Sequence, residues 1–409
     1  MPIGQNFASA LSSPGEGPSS PGLGLLLRLG RDIRFGTLHV RLPDGGERSF
    51  AGSEPGPTAT LVLNNGRVVR RFLAGGAVGF AESYIDGDWD SPDLASLLEL
   101  LDRNYAAWSD HHHGGALPRL LRRLLHLLRG NSRRGSRRNI HAHYDLGNEF
   151  FAAWLDPTLT YSSARFVDGN EDLEAAQVEK YRSLARLMRL SPGQKLLEIG
   201  SGWGSFAILA AREFGARVRS LTISREQHAF ASRRVQELGL NDRVTIDLCD
   251  YRDARGSYDR IASIEMFEAV GEAWWPAYFG KLREALAPGG AAGLQIITIA
   301  DRYFAEYRRS ADFIQRYIFP GGMLPSPTAL RQQVERAGLS IRDQLAFGAS
   351  YARTLGIWNR SFDAAWDKVA GLGFDERFRR LWTYYLAYCE AGFRTGSTDV
   401  VQLAVARPA

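Results

Sequence analysis

Two hydrophobic periods divide the chain. Between Ile33 and Leu63 apolar and polar positions mostly alternate. Ile33-Arg34-Phe35-Gly36-Thr37-Leu38-His39-Val40-Arg41-Leu42 reads as a strand followed by the turn residues Pro43-Asp44-Gly45-Gly46. Thr58–Leu63 and Val68–Leu73 read as two more strands, joined by the hairpin signal Asn64-Asn65-Gly66. Helical spacing follows through Phe80–Tyr84 and Leu94–Leu101. These elements predict a small α+β domain over residues 23–109, preceded by a Ser-, Pro- and Gly-rich stretch, 1–22, with no period and the composition of a disordered tail.

From residue 140 to 409 short apolar runs alternate with amphipathic segments at βαβ spacing. Strands are predicted at Lys195–Gly200, Arg217–Ile223, Arg243–Leu248, Tyr258–Ile264 and Ala292–Ile299, and helices at Trp203–Phe214, Arg225–Leu238, Trp275–Leu286 and Pro327–Ala337. Ile341–Phe347 and Val400–Ala406 add two late strands, expected as an antiparallel pair at one edge. The result is an α/β fold: a seven-stranded Rossmann-like sheet with its ligand at the carboxyl ends of the strands. Two insertions interrupt it. Asp301–Pro327 is expected as an ordered, rigid loop. Ala352–Arg394 is helical and rich in aromatic residues, which suit either a core or an apolar tunnel.

The strand–turn–helix at Leu197-Glu198-Ile199-Gly200-Ser201-Gly202-Trp203-Gly204 is the centre of this half. Gly200 permits a sharp turn, Gly202 leaves room for a ligand to approach the backbone, and Gly204 opens a helix whose N-terminus carries free N–H groups. A dinucleotide site would place its third glycine where Ser205 stands. It would also end the second strand on an acidic residue, which Arg217–Ile223 lacks. Glu198-x-Gly200-x-Gly202-x-Gly204 instead resembles the first motif of class I S-adenosylmethionine (SAM) methyltransferases.

Charge is placed unevenly. Over residues 110–139, Leu117, Leu120, Leu121, Leu124 and Leu128 share one helical face, while Arg119, Arg122, His126 and Arg129 take the other, and Arg133, Arg134, Arg137 and Arg138 follow. Such a basic amphipathic linker suits an anionic lipid surface, and equally a solvated helix packed on a neighbouring domain. It lacks the interleaved aromatics that stack on bases, so nucleic acid is not the expected partner. Composition is that of a globular protein, with 44% apolar and 23% charged residues and a formal charge of +5. No apolar run approaches the ~18 residues of a membrane span. Two cysteines, Cys249 and Cys389, and no secretory pattern suggest a reducing, cytoplasmic setting. His141 and His143 stand two apart, which does not place them on one helical face, so no metal site is expected.

Several motifs occur in order: His143-Tyr144-Asp145-Leu146-Gly147-Asn148, Tyr161-Ser162-Ser163-Ala164, the glycine corner, Leu221-Thr222-Ile223-Ser224-x-Glu226-Gln227, Asp250-Tyr251-Arg252-Asp253, Met266-Phe267-Glu268, Tyr317-Ile318-Phe319-Pro320-Gly321-Gly322 and Phe393-Arg394. Together they resemble the cyclopropane-fatty-acyl-phospholipid synthase family from about His141 to the C-terminus. The N-terminal domain resembles that family's sterol-carrier-like lipid-binding module more weakly. The resemblance implies SAM as donor and the cis double bond of a phospholipid acyl chain as acceptor. It implies action at the inner face of a membrane, and a homodimer is compatible with it. The implied cofactor residues are Tyr144, Tyr161, Ser162, Glu198, Gly200, Gly202, Trp203, Gly204, Thr222, Gln227, Tyr251 and Arg252. An alkene is a poor nucleophile, so the sulfonium methyl must be held in line with it in a dry pocket. The carbocation left on the chain suits aromatic faces, and a base must then take a proton.

For that step the resemblance implies bicarbonate, held by the Glu268 carboxyl, the Tyr351 hydroxyl and main chain near Ser163 and Ile299. Three positions depart from the family: Ser163 for Cys, Ala269 for His, and Ile297 for the histidine that holds bicarbonate. Gln295 shares a sheet face with Ile297 and is expected to supply the missing hydrogen bond. Cys389 matches a cysteine once given a catalytic role, although no cationic partner is adjacent in sequence to activate it. Cyclopropanation is the leading expectation. An altered proton acceptor would instead give a methyl-branched or methyl-unsaturated chain. A lipid-binding protein that keeps SAM as a structural ligand is the distant alternative.

Overall fold

In a computed structural model, residues 30–109, 146–167, 172–309 and 311–409 are described. The tail 1–22, the basic linker, and Tyr144 with its neighbours His141, His143 and Asp145 lie outside them. Strands β1 (Phe35–Arg41), β2 (Glu47–Ala51) and β3 (Glu54–Leu63) are followed by helix α1 (Arg67–Ile85), β4 (Trp89–Asp90) and α2 (Leu94–Ser109). After α3 (Asn148–Ala152) and α4 (Leu173–Leu187) the second sheet begins. It runs β5 (Lys195–Ile199), α5 (Ser205–Phe214), β6 (Arg217–Thr222), α6 (Arg225–Glu237), β7 (Val244–Leu248), β8 (Tyr258–Ile264), α7 (Trp275–Ala285) and β9 (Leu286–Ile299). Helices α8 (Asp301–Tyr307), α9 (Phe313–Tyr317) and α10 (Pro327–Arg336) lead to β10 (Ser340–Ala346). Then α11 (Gly348–Ala364), α12 (Trp366–Gly371) and α13 (Glu376–Thr395) precede β11 (Thr398–Ala406).

The chain forms two compact units. One contains residues 30–109 with Arg309–Ile318 and Ala370–Thr395, so α9 and α13 belong with the N-terminal sheet. That sheet has the order β2-β1-β3-β4. Within this unit Arg380 of α13 bonds the carbonyls of Tyr84 and Trp89 and the carboxylate of Asp90, at 2.7–3.0 Å. The aromatic half of the long insertion, Trp382, Tyr384 and Tyr385, is thus buried as core here.

Two sequence expectations fail. Val68–Leu73 is the first part of α1, not a strand, and Asn64-Asn65-Gly66 turns the chain from β3 into that helix. Both neighbours of β3 are already supplied, β1 in parallel and β4 antiparallel, so no hairpin partner is needed. The asparagines serve the turn: Asn65 Oδ1 accepts from Arg67 N at 2.9 Å, and Asn65 Nδ2 donates to Asp88. Tertiary pairing overrides the β-propensity of Val68 and Val69, both buried on the helix. Likewise Asp301–Pro327 is not simply a loop, since it contains α8 and α9. Asp312 caps α9 through a capping box with Gln315, a signal present in the sequence.

The second unit holds the seven-stranded sheet, ordered β10-β11-β9-β8-β5-β6-β7. Strands β9, β8, β5, β6 and β7 are mutually parallel, and β11 is antiparallel to both β9 and β10, as the late strands were expected to be. Successive residues of β5 feed opposite faces. Leu196 joins the cluster with Phe206, Ala207 and Val218, while Leu197 and Ile199 join Phe267, Trp275 and Phe279. Each fully buried side chain of this size contributes about 1.5–3 kcal/mol. Helix α4 packs closely on the sheet because β9 carries Gly293, where an added Cβ would come within 3.1 Å of Leu184 and 3.2 Å of Met188. Among the described residues no helix is long and apolar enough to cross a membrane.

Candidate active site

The glycine corner lies where β5 meets α5. Gly200, Gly202 and Gly204 all have positive φ, +96°, +49° and +88°. Their surroundings differ in an informative way. A Cβ on Gly204 would meet Ala231 of α6 at 3.2 Å, and one on Gly200 would meet Met266 at 3.3 Å, but at Gly202 nothing lies within 4 Å. Gly204 thus serves helix packing and Gly202 faces open space, which leaves a cradle at the helix N-terminus for a cofactor.

The other expected cofactor residues lie on β5, β6 and α6, just after β7, and in the segment before α4. Glu198 is buried and accepts from Ser220 Oγ on β6 at 2.5 Å. Burial raises its pKa to about 8, against the Ser220 bond and the charge of Lys180. Thr222 Oγ1 bonds Gln227 Oε1 at 3.1 Å and accepts from Ser224 N. Tyr251 packs edge-on to Tyr278, and burial pushes its hydroxyl up to about 12. Arg252 is folded back on Asp250 through two bonds of 2.8 and 2.5 Å. Trp203 is buried and donates from Nε1 to Asn148 Oδ1 at 2.9 Å. Tyr161 packs on Trp358 (5.3 Å between centroids), Phe151 (5.1 Å) and Trp154 (5.8 Å). These residues fit the amino-acid and adenosine portions of SAM: an open glycine turn, buried polar side chains and an aromatic wall.

Ser163, Gln295 and Tyr351, three of the residues expected around a bicarbonate ion, converge instead on a carboxylate that sequence reasoning missed, whereas Glu268 and Ile299 do not. Glu265 Oε1 accepts from the backbone N–H of Ser163 at 2.9 Å and from Gln295 Nε2 at 2.7 Å, and Oε2 accepts from the Tyr351 hydroxyl at 2.7 Å. Ile299 N donates to the Pro325 carbonyl at 3.0 Å. Ser163 N, Gln295 Nε2 and the Tyr351 hydroxyl are therefore engaged by a carboxylate of the protein itself. Gln295 does supply a hydrogen bond, but to Glu265. Its own Oε1 accepts from Gln402 Nε2 at 3.0 Å across the β9–β11 register, which sets the amide orientation. Glu265 also has φ +49°, an unfavourable backbone for a residue with a side chain. Such strain at a buried, triply hydrogen-bonded carboxylate marks a functional position.

The neighbouring Glu268 is placed differently. Its Oε1 accepts from Ile297 N at 2.5 Å, and its buried Oε2 has no hydrogen-bond partner among the described residues. Burial, then the charge of Glu265, raises it to about 8. Burial also raises Glu265, but Tyr351, Lys180, Ser163 and Gln295 all pull it down. Burial thus raises both carboxyl groups, but they are set apart by their surroundings: three donors and the charge of Lys180 oppose the shift at Glu265, while at Glu268 the neighbouring carboxylate adds to it. The pair Glu265-Met266-Phe267-Glu268 at the carboxyl end of β8 is a signal the sequence did carry.

Ser163 contributes its backbone, while its hydroxyl donates to the Ala164 carbonyl. Ser162 accepts from Lys180 Nζ at 2.6 Å and, at its carbonyl, from Gln177 Nε2 at 2.9 Å, so α4 pins the 162–163 segment. Cys389 belongs to the other compact unit, on α13. Burial, with Asp312 adding to it, pushes its thiol far above the usual range, which does not suit a nucleophile.

Comparison with known proteins agrees with this geometry. The family model described as mycolic acid cyclopropane synthetase matches residues 131–403. A tuberculostearic acid methyltransferase of Mycobacterium tuberculosis is 40% identical over 389 residues, covering 90% of this chain and 88% of its own. The cyclopropane-fatty-acyl-phospholipid synthase of Escherichia coli K12 is 35% identical over 358 residues, 87% and 89% of the two chains. Among solved structures, the cyclopropane synthase MmaA2 from Mycobacterium tuberculosis superposes with a TM-score of 0.62 at 30% identity, over 66% of this chain and 98% of that one. The mycolic acid cyclopropane synthase CmaA1, complexed with SAH and CTAB, gives the same values. With its glycine corner, seven-stranded sheet and these relatives, the chain belongs to the mycolic acid cyclopropane synthetase family of SAM-dependent, lipid-modifying methyltransferases.

Proposed function

We propose that the protein methylates the cis double bond of unsaturated phospholipid acyl chains, and that Glu265 takes the proton a bicarbonate ion would otherwise accept, leaving a methyl-substituted alkene. The observation carrying this reading is the convergence of Ser163 N, Gln295 Nε2 and Tyr351 OH on the Glu265 carboxylate. SAM supplies the electrophilic methyl group. Tyr161, Trp154 and Trp358 present aromatic faces that stabilise positive charge on the acyl chain and exclude water. Tyr351 lies edge-on to Trp358 at 6.2 Å, so the base's hydrogen-bond partner borders that aromatic wall. Glu265 Oε1 is engaged by two donors and Oε2 by one, so Oε2 is the proton acceptor.

The base takes the proton either before or after a hydride shift along the chain. After the shift, proton loss to Glu265 leaves a methyl-substituted alkene; the name of the 40%-identical relative, a methyltransferase, supports methyl transfer. Taken from the newly transferred methyl, the proton's loss closes a cyclopropane. This is the second reading, supported by the Escherichia coli relative and by the family description. The basic amphipathic segment supports action at an anionic membrane surface. Vesicles of defined monounsaturated phospholipids, incubated with SAM and analysed by proton NMR, test the proposal. Vinylic or methylene protons with a new methyl-branch pattern are expected. Upfield ring methylene protons identify the cyclopropane, and absence of methyl transfer defeats both readings.

A further inference from the structure

Lys180 is one of only four lysines in a chain that carries 50 lysines and arginines together. It lies on α4 among Ala176, Gln177, Tyr181 and Leu184, the face that packs inward, and its side chain is fully buried. A buried ammonium is costly unless it is paired. Its Nζ donates to Ser162 Oγ at 2.6 Å and sits 4.1 Å from the centroid of the Tyr181 ring. The next residue, Ser163, gives its N–H to Glu265. A second route joins the same helix to the same carboxylate: Gln402 Nε2 donates to the Lys180 carbonyl at 2.9 Å and to Gln295 Oε1, and Gln295 Nε2 donates to Glu265. Ser183 Oγ, one turn further along α4, donates to Gln402 Oε1 at 2.7 Å and fixes that amide.

We infer that Lys180 is a positioning residue for the proton transfer: its buried ammonium holds the 162–163 segment against Glu265 and places a positive charge on the side of the molecule that this carboxylate faces. The inference rests on the reading of Glu265 as base. A lysine suits the place because its compact charge needs less room than the guanidinium used almost everywhere else in this chain. The charged groups facing Lys180 are Glu265 on the β8 edge, Asp156 before α4, and Glu198 on β5; burial lowers the lysine to about 7, against these three carboxylates. The groups facing Glu265 are Lys180, Tyr351 of α11 and Glu268. Lys180 is thus the cation common to Glu265 and Glu198.

The test compares Lys180→Met, Glu265→Gln and the double variant in the full-length chain. Loss of the cation raises the proton affinity of Glu265, so the ascending limb of turnover against pH is expected to move up by about one pH unit or more in Lys180→Met. A Lys180→Met profile superimposable on that of the unmodified protein overturns the inference while leaving Glu265 as base. A second arm needs no catalysis: melting temperatures of the three variants at pH 7.5 without cofactor. Coupling is expected, the double variant melting higher than the sum of the single losses predicts, because removing either charge alone strands the other. Strictly additive losses overturn the charge pairing. Absence of methyl transfer at every pH in the unmodified chain defeats the proposed function instead, and the melting arm still decides the role of the lysine.

Discussion

Replacing Glu265 by glycine separates its backbone role from its chemical role. At φ +49° a side chain costs on the order of 1 kcal/mol or more, which glycine relieves. Against that, the N–H of Ser163, the Nε2 of Gln295 and the hydroxyl of Tyr351 lose their carboxyl partner. Hydrogen bonds to a charged group contribute about 1.5–3 kcal/mol each, but the space left by the side chain admits water or a small anion to satisfy these donors. The variant is therefore expected to fold, with a modest loss of stability. Removing a general base lowers turnover by roughly 10²–10⁴-fold. What remains is three convergent donors around a carboxylate-sized space, so bicarbonate or formate is expected to restore part of the activity. Glu265→Gln, which keeps the space filled, should be inactive and unresponsive to either anion. The assay is transfer of labelled methyl from SAM to unsaturated phospholipid vesicles in carbonate-free buffer, with each anion titrated in. Full turnover of Glu265→Gly without added anion, or strict dependence of the unmodified protein on bicarbonate, would refute the reasoning.

Other expectations follow from the same geometry. Gln295→Leu removes one donor from Glu265 and one of the two acceptors of Gln402 Nε2, which should cost about 1.5–3 kcal/mol of transition-state or folding free energy, read as a ten- to hundredfold loss in turnover or a lower melting temperature. Glu268 has a folded pKa of about 8, above its unfolded value, so it binds more protons folded than unfolded, and its contribution to stability falls as pH rises from about 4.5 to 8. Glu268→Gln should remove that slope, so the melting temperature of the variant relative to the unmodified protein rises between pH 5 and pH 8. Gly293→Val drives side-chain atoms into Leu184 and Met188 and should destabilise by about 1–3 kcal/mol, measured by denaturant unfolding. Cys389→Ala should retain turnover within about twofold, since the thiol lies on α13 and is held protonated; a large kinetic loss with unchanged melting would contradict this.

Much of the catalytic half was legible in the sequence because its signals are local. The alternation of β5 to β9 with helices, the three glycines and the antiparallel last strands each follow from period and turn chemistry over a few residues. The N-terminal errors have the opposite origin. Val68–Leu73 has the composition of a strand, yet β1 and β4 already flank β3, and the segment becomes a helix. Likewise α13 lies between the catalytic strands β10 and β11 in sequence but belongs with the N-terminal sheet, a placement no local pattern reveals.

The chain's own pattern of apolar residues and glycines determined the seven-stranded sheet and the cofactor corner, while Tyr351 and Ser163 were named by the family resemblance and Gln295 by its place two residues before Ile297. Only the tertiary structure decided what they surround. Ser163 lies 102 residues from Glu265, Tyr351 86 and Gln295 30, so their meeting depends on how β8, β9 and α11 pack, and not on any spacing. A hydrogen-bond donor reads the same in sequence whether its acceptor is a dissolved anion or a carboxylate of the protein itself. The difference is made by the left-handed turn after β8, where Glu265 stands, and by the buried lysine on α4 that holds Ser162 beside the Ser163 donor.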